Sequence, residues 1–258
     1  LSWTQDRIGP MCRYAEDCAL VMQAIARPDG RDMSVTDLPF NWNADLDIRR
    51  LRVGVIQDSF DEITNADARA NAEQMLDTLR ALGVREFIPV TVPDVPSNVS
   101  AIGVESAVFF DQHARAGRMK GTRSERPTGR LWSAVDYLQS QRVRMMMVGS
   151  NITGVGGPGG RGPGEAGSSP GGVPAAQAAP SRPPERQRPQ SPSQRHFGMA
   201  NLACYPAINL PNGFASTGTP TNATIYAQPY RELEIIALAR AYQDAAKHHL
   251  VKPARLDA

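Results

Sequence analysis

No stretch of about 18 apolar residues occurs in this sequence, and no basic segment followed by an apolar one stands at its start, so neither a membrane span nor a signal peptide is read from it. Cysteine is scarce. Cys12, Cys18 and Cys204 are odd in number and form no CxxC pair, which argues against a disulfide framework or a zinc site. We expect them to be reduced, buried thiols of a cytoplasmic protein. An excess of one charge is also missing: Lys plus Arg number 28 against 26 for Asp plus Glu, and a net charge of +2 points to no nucleic-acid or anionic-membrane partner. Lysine occurs only as Lys120, Lys247 and Lys252. What is present is enough apolar material, 41% of 258 residues, for one large α/β domain or two small ones. The chain starts at Leu1 without an initiator Met, and we read it as a fragment or a processed piece.

Periodicity organises the first part. Residues from about Tyr14 to Ala26 read as a buried, mostly apolar helix ended by Pro28 and Gly30. Leu51 to Ile56 reads as a strand. A helix capped by Asn65 follows, with Ala68, Ala72, Met75, Leu76, Leu79 and Leu82 on one face and Gly83 at its end. Phe87 to Val92 reads as a second strand, so 51–92 forms a strand–helix–strand unit whose strands should be parallel. Two more helical stretches, near Ile102 to Ala116 and Leu131 to Met147, flank a polar loop. From Gly149 to His196 the text is rich in Gly, Pro, Arg and Ala, with almost nothing bulky and aliphatic, a composition expected to be disordered. Order should resume near Phe197 with a strand at Pro206 to Leu210, a turn at Pro211-Asn212-Gly213, a strand near Thr221 to Ala227 and a helix from about Tyr230 to His248. Leu233, Ile236, Ala237, Ala241 and Ala245 are its expected core positions. Three segments result: 1–148, a partial α/β segment; 149–196; and 197–258, the closing strand–strand–helix of the same domain.

Candidate chemistry is thin. Ser168 and Ser169 lie between glycines in Gly167 to Gly172, a setting that can free backbone N–H groups for an oxyanion, but nothing in that composition would hold them beside a base. His248 and His249 are adjacent, so their side chains diverge on a helix, and they read as solvated cations at its C-terminal end. Asp58, Asp61 and Glu62 read as ordinary acidic capping after the first strand. Arg182, Arg186, Arg188 and Arg195, interleaved with Pro and lacking aromatics, read as a solvated linker. No metal or cofactor site is read.

Two segments carry a more specific signal. Leu1-Ser-Trp-Thr-Gln-Asp-Arg-Ile-Gly-Pro-Met-Cys-Arg13, then Glu16-Asp-Cys-Ala-Leu-Val21 and Pro28-Asp-Gly-Arg-Asp32, resembles the stretch of amidase-signature enzymes just downstream of their nucleophile. Asn201-Leu-Ala-Cys-Tyr-Pro-Ala-Ile-Asn-Leu-Pro-Asn-Gly-Phe214, with Gly218-Thr-Pro220 and Glu232 to Tyr242, is similar to that family's closing strand and final helix. The resemblance implies an incomplete amidase-signature α/β/α sandwich: an α/β fold with a partial mixed sheet flanked by helices. It also implies a reaction in which a lysine and a bridging serine activate a nucleophilic serine, and an acyl-enzyme is then hydrolysed. Those three positions lie upstream of the Ser-Trp segment in the family, so no catalytic residue is assigned here. Asp6, Gly9 and Pro10 match positions that support the active-site loop.

The resemblance departs from the family at 149–196, where a buried strand is expected. Translation of a GC-rich gene out of frame and a genuine disordered insertion both account for that text. The absence of an acidic residue shortly before Asn201 weakens a glutamine-specific assignment. The leading expectation is a fragment of a carbon–nitrogen hydrolase, inactive alone, whose complete form takes a small-molecule amide, needs no cofactor, and meets neither nucleic acid nor membrane. Its expected partner is a second copy or a missing N-terminal half. A non-catalytic binding or scaffold protein derived from the same fold is the alternative, and nucleic-acid binding through the Arg/Pro stretch comes third.

Overall fold

The computed structural model describes residues 2, 4–32, 35–38, 40–90, 101–121, 131–149, 155–156 and 200–252. They fall into two units. The larger comprises Arg7–Pro93, Asn151–Pro158 and Cys204–Ala258; the smaller comprises Leu1–Asp6, Asp94–Ser150 and Gly159–Ala203.

The larger unit is built around the strand–helix–strand expected from the sequence. Strand β1 (Arg52–Ile56) leads through the short helix α2 (Gln57–Asp61) to α3 (Ala66–Ala81) and then β2 (Glu86–Val90). Asn65 caps α3 by accepting the Ala68 N–H at 2.8 Å. Gly83 ends it at φ +97°, where a Cβ would stand 2.8 Å from Arg49 Cγ. β1 and β2 are parallel, with Val53 opposite Phe87 and Gly54 opposite Ile88. On its other side β1 pairs antiparallel with β3 (Val155–Gly156), which makes the sheet mixed, in the order β2-β1-β3. These two residues lie inside the 149–196 stretch, with Val155 opposite Val53 and Gly156 opposite Arg52. The rest of 150–196, including Ser168, Ser169 and the four arginines, lies outside the described residues.

Two further strands, β4 (Ala207–Phe214) and β5 (Pro220–Tyr226), form an antiparallel pair. The expected turn at Pro211-Asn212-Gly213 is instead inside β4. The register passes from Pro211 opposite Asn222 directly to Gly213 opposite Thr221, leaving Asn212 as a bulge. Its side chain is buried and accepts the Thr221 hydroxyl at 2.7 Å. The reversal comes later, where Ala215 and Thr219 are bridged at 2.8 Å and Gly218 sits at φ +78°.

Helices α1 (Ala15–Ile25) and, named here in chain order, α7 (Glu232–Ala246) pack together. No side chain of its own caps α1; Gln243, 6% exposed on α7, does so by accepting the Ala15 N–H at 2.7 Å and donating to the Arg13 carbonyl at 3.3 Å. Only Ala15 and Ala19 of α1 are buried, because small residues at i and i+4 let the helix lie close to its neighbour. The expectation of a buried helix is corrected: Leu20, Val21 and Ile25 are 56%, 39% and 46% exposed. On α7 the buried set is Ile235 to Ala239, Tyr242 and Gln243, while the expected Ala245 is exposed and Leu233 and Ala241 are half-buried. A helix touching α1, α3 and β4 buries a broader face than one stripe. Ile235, Ile236, Leu238, Ala239 and Tyr242 join Ala15, Ala19, Leu51, Val53, Met75, Leu79, Val84 and Leu210 in one core, and each large apolar group fully buried there contributes roughly 1.5–3 kcal/mol.

The smaller unit contains α4 (Ala101–Phe109), α5 (Asp111–Arg115) and α6 (Ala134–Gly149). The single helix expected over 102–116 is broken at Phe110. At the start of α6, Ser133 Oγ donates to Asp136 at 2.8 Å and accepts the Asp136 N–H at 3.0 Å, a reciprocal cap. Among the described residues no helix is long and apolar enough to cross a membrane.

Candidate functional site

Helix α4 is an apolar run, Ala-Ile-Gly-Val-Glu-Ser-Ala-Val-Phe, with one carboxylate in it. A buried charge must find partners or it will neutralise. Glu105 is fully buried and finds them within the smaller unit. Its Oε2 accepts the Ser2 hydroxyl and, at 3.4 Å, the Thr4 N–H. Its Oε1 accepts Thr4 Oγ1 at 2.7 Å, Tyr137 OH at 3.1 Å and Gln141 Nε2 at 3.4 Å. Burial pushes the Glu105 carboxyl up, but the hydrogen bonds from Ser2, Thr4 and Tyr137 outweigh it, and the pKa lies below the ordinary glutamate value. Tyr137 is raised, first by burial and then by the bond it donates to Glu105.

A second polar clamp lies in the same unit. Arg144 on α6 donates from Nε to the Leu202 carbonyl at 2.7 Å and from Nη2 to the Thr4 carbonyl at 2.7 Å. One guanidinium fork thus joins the two ends of the chain that carry the family resemblance, Ser2–Asp6 and the segment from Asn201. Beside Glu105 a cavity of about 330 Å³ opens between α4 and the start of α6, lined by Val104, Val108, Trp132, Ser133, Ala134 and Tyr137. Its wall is mainly apolar, and its one carboxylate has its acceptor positions filled from the protein side. Such a group anchors backbone; it is not available as a general base.

Of the residues singled out in the sequence, Asp6 accepts the Ser2 N–H at 2.8 Å and returns its own N–H to the Ser2 carbonyl at 2.8 Å, closing the turn that presents Ser2 and Thr4 to Glu105. Gly9 and Pro10 belong to the larger unit. A Cβ at Gly9 would meet nothing within 4 Å, so the fold of the described residues makes no demand for glycine there. The Pro10 carbonyl accepts Cys18 Sγ at 4.0 Å. The cysteines are less buried than expected: Cys12 is exposed and Cys18 and Cys204 are half-buried. His249 is half-buried rather than solvated. Its ring meets Tyr14 edge-on at 5.0 Å, its Nδ1 has no hydrogen-bond partner among the described residues, and burial, ahead of its neighbours' charges, lowers its pKa. Asp58 lies in the first turn of α2, but no side chain caps that helix, and Asp61, its last residue, accepts Gln57 Nε2 at 2.8 Å, a side-chain bond along the helix rather than the expected cap. Among the described residues no group of three or more His, Cys, Asp or Glu side chains is placed to hold a metal.

Sequence reasoning missed Glu105, Tyr137 and Arg144. The available signal was the lone carboxylate in an apolar helix, which needs partners that periodicity cannot name.

The Amidase family model matches residues 1–153. The chain is similar to a glutamyl-tRNA(Gln) amidotransferase subunit of Methanospirillum hungatei, 30% identical over 137 residues, which is 53% of this chain and 31% of the relative. It is similar to an amidase of Pseudomonas putida, 31% identical over 157 residues, 57% of this chain and 34% of the relative. Among solved structures, the native peptide amidase from Stenotrophomonas maltophilia superposes with a TM-score of 0.67 at 17% identity, covering 100% of this chain and 56% of that one. The likeness shows a shared α/β fold, and the chain spans less than two thirds of the length of each of these proteins.

Proposed function

The chain belongs to the Amidase family, and from that premise we propose that it is one flank of a carbon–nitrogen hydrolase that cleaves a small-molecule amide through an acyl-serine. What supports the reading is the match over residues 1–153 together with the hydrogen bonds that seat Ser2–Asp6, the start of the resembling segment, on Glu105 and Arg144. In the family pattern the lysine, the bridging serine and the nucleophile precede that segment, and no position of this sequence takes their place. Asp6, Gly9 and Pro10 would support the catalytic loop rather than react. Residues 1–148 and 197–258 would be parts of one amidase domain, with 149–196 an insertion or an out-of-frame stretch between them. The complete protein would act in the cytoplasm.

Alone, the chain is expected to be inactive. Acyl transfer needs an activated nucleophile, a base and oxyanion donors in fixed geometry, and deletion of triad members in other serine hydrolases costs several orders of magnitude in rate. The exposed apolar side chains Leu20, Val21 and Ile25 on α1 suit a covering partner, either a complementary amidase half or a second copy. The test is an assay of the purified 258-residue chain against aryl amides and glutamine, with Ser168→Ala and Ser169→Ala alongside. Background rates in all three are expected. Turnover that disappears in either serine variant would overturn the assignment and move the active site to Gly167–Gly172.

A further inference from the structure

Beyond α7 the chain folds back onto the head of α1. The helix ends at Lys247, whose left-handed backbone at φ +57° and ψ +15° turns the chain aside, while its N–H closes on the Gln243 carbonyl at 2.9 Å. His248–Leu250 then make one tight turn, with the Leu250 N–H on the Lys247 carbonyl at 3.0 Å and the Val251 N–H on the His248 carbonyl at 3.2 Å. This turn carries His249 to Tyr14, the residue ahead of α1, and the two rings stand 5.0 Å apart at 75° to each other. Gln243 fixes both sides of the contact. Its backbone carbonyl holds Lys247, and its side chain takes the Ala15 N–H and gives to the Arg13 carbonyl, on either side of Tyr14. At this joint His249 Nδ1 is buried and, among the described residues, has no hydrogen-bond partner.

We propose that the joint is a pH-sensitive latch, in which neutral His249 docks the C-terminal turn against Tyr14 and protonated His249 loosens it. A neutral ring has one N–H and can carry it on Nε2, leaving Nδ1 a bare acceptor. A protonated ring has an N–H on both nitrogens. The one on Nδ1 is then a charged donor buried without an acceptor, which is the costlier state. Of the ionisable groups near the ring, Asp244 on α7 favours a positive charge, whereas Lys247, Arg13 and His248 oppose one. Strand β4 packs against the turn and has no ionisable residue between Ala207 and Phe214, and Tyr14 brings a phenol rather than a carboxylate. Burial, ahead of these charges, holds the His249 pKa below the ordinary 6.5, so the docked turn binds fewer protons than the released one. Docking is therefore strongest above 6.5 and weakens as pH falls from there to the docked-state pKa, by at most about tenfold per pH unit.

The experiment follows the full chain by NMR from about pH 8 to about pH 5, across the range in which histidine titrates. It reads the His249 ring protons, assigned with His249→Gln, and the cross-relaxation between the His249 and Tyr14 rings. The His249 midpoint is expected below 6.5. The ring-to-ring signal should fade with that midpoint, together with the protection of the Leu250 and Val251 amides measured against their intrinsic exchange rates. In His249→Phe, which keeps a ring against Tyr14 but has no nitrogen to protonate, amide protection should not change over the range. The wild-type titration reads the latch directly and stands if a variant does not fold. A midpoint at or above 6.5, the result if the Tyr14 ring attracts the cation, would overturn the proposal. So would a ring contact that persists once His249 is protonated, or an equal acid loss of protection in His249→Phe.

Discussion

Ser2 gives its hydroxyl hydrogen to Glu105, a carboxylate 103 residues further along the chain, and neither residue keeps more than 1% of its surface in water. Hydrogen bonds to a buried charge are the costly ones to break. Glu105→Gln, which removes the charge and turns one acceptor into a donor facing donors, should destabilise the smaller unit by about 2–3 kcal/mol. Urea unfolding followed through Trp132, which lies beside Glu105, measures it.

The same carboxylate sets an acid limb. Its folded pKa is depressed below the ordinary value of 4.5, so the stability it contributes is fully present above that value and is lost as pH falls through the folded pKa. The urea midpoint of the wild type should therefore drop below about pH 4.5 more steeply than that of Glu105→Gln. Equal slopes for the two proteins would show that Glu105 is not the titrating group.

Gly213 and Gly218 both have positive φ but differ in their surroundings. At Gly213, φ +148°, a Cβ would come within 2.5 Å of Asn71 Cγ, and Asn71 is itself bonded to the Phe214 carbonyl and Thr221 Oγ1. At Gly218, φ +78°, a Cβ would meet open space. Gly218→Ala should cost about 1 kcal/mol of backbone strain, whereas Gly213→Ala should cost at least twice that, roughly 2–4 kcal/mol. Thermal melts of the two variants, read side by side, separate strain from collision.

Asn65→Ala removes the side-chain acceptor of the Ala68 N–H at the start of α3. A loss of about 1 kcal/mol is expected from thermal or urea unfolding, with no change in the strand pairing that α3 connects.

The exposed apolar face of α1 makes a prediction about association. Leu20→Lys, Val21→Lys and Ile25→Lys together should change stability little, roughly within 0.5 kcal/mol per site, because each side chain is already more than a third exposed. Sedimentation velocity should show self-association of the wild-type chain that is reduced in the triple variant. Unchanged sedimentation would remove α1 as the covered face.

The β1–α3–β2 unit was legible because all of its instructions are local: apolar runs at both ends, a 3.6-residue stripe between them, and Asn65 and Gly83 at the helix boundaries. Its partners were not. Asn212 and Gly213 carry the residue types of a turn, yet Asn71 from α3 and Thr221 from β5 bond the segment into a bulged strand, and side chains that far away in sequence outbid local preference. The small residues Ala15 and Ala19 and the cap from Gln243 decide which face of α1 is buried, and the bulkier Leu20, Val21 and Ile25 are left outside. The sequence alone determined the family, through Gly, Pro and Asn at fixed spacing in two segments, and the type of most elements. Only the tertiary structure decided that Glu105 gathers Ser2, Thr4, Tyr137 and Gln141, and that Arg144 joins Thr4 to Leu202, because a hydrogen bond is specified by three-dimensional distance and direction, which no spacing along the chain encodes.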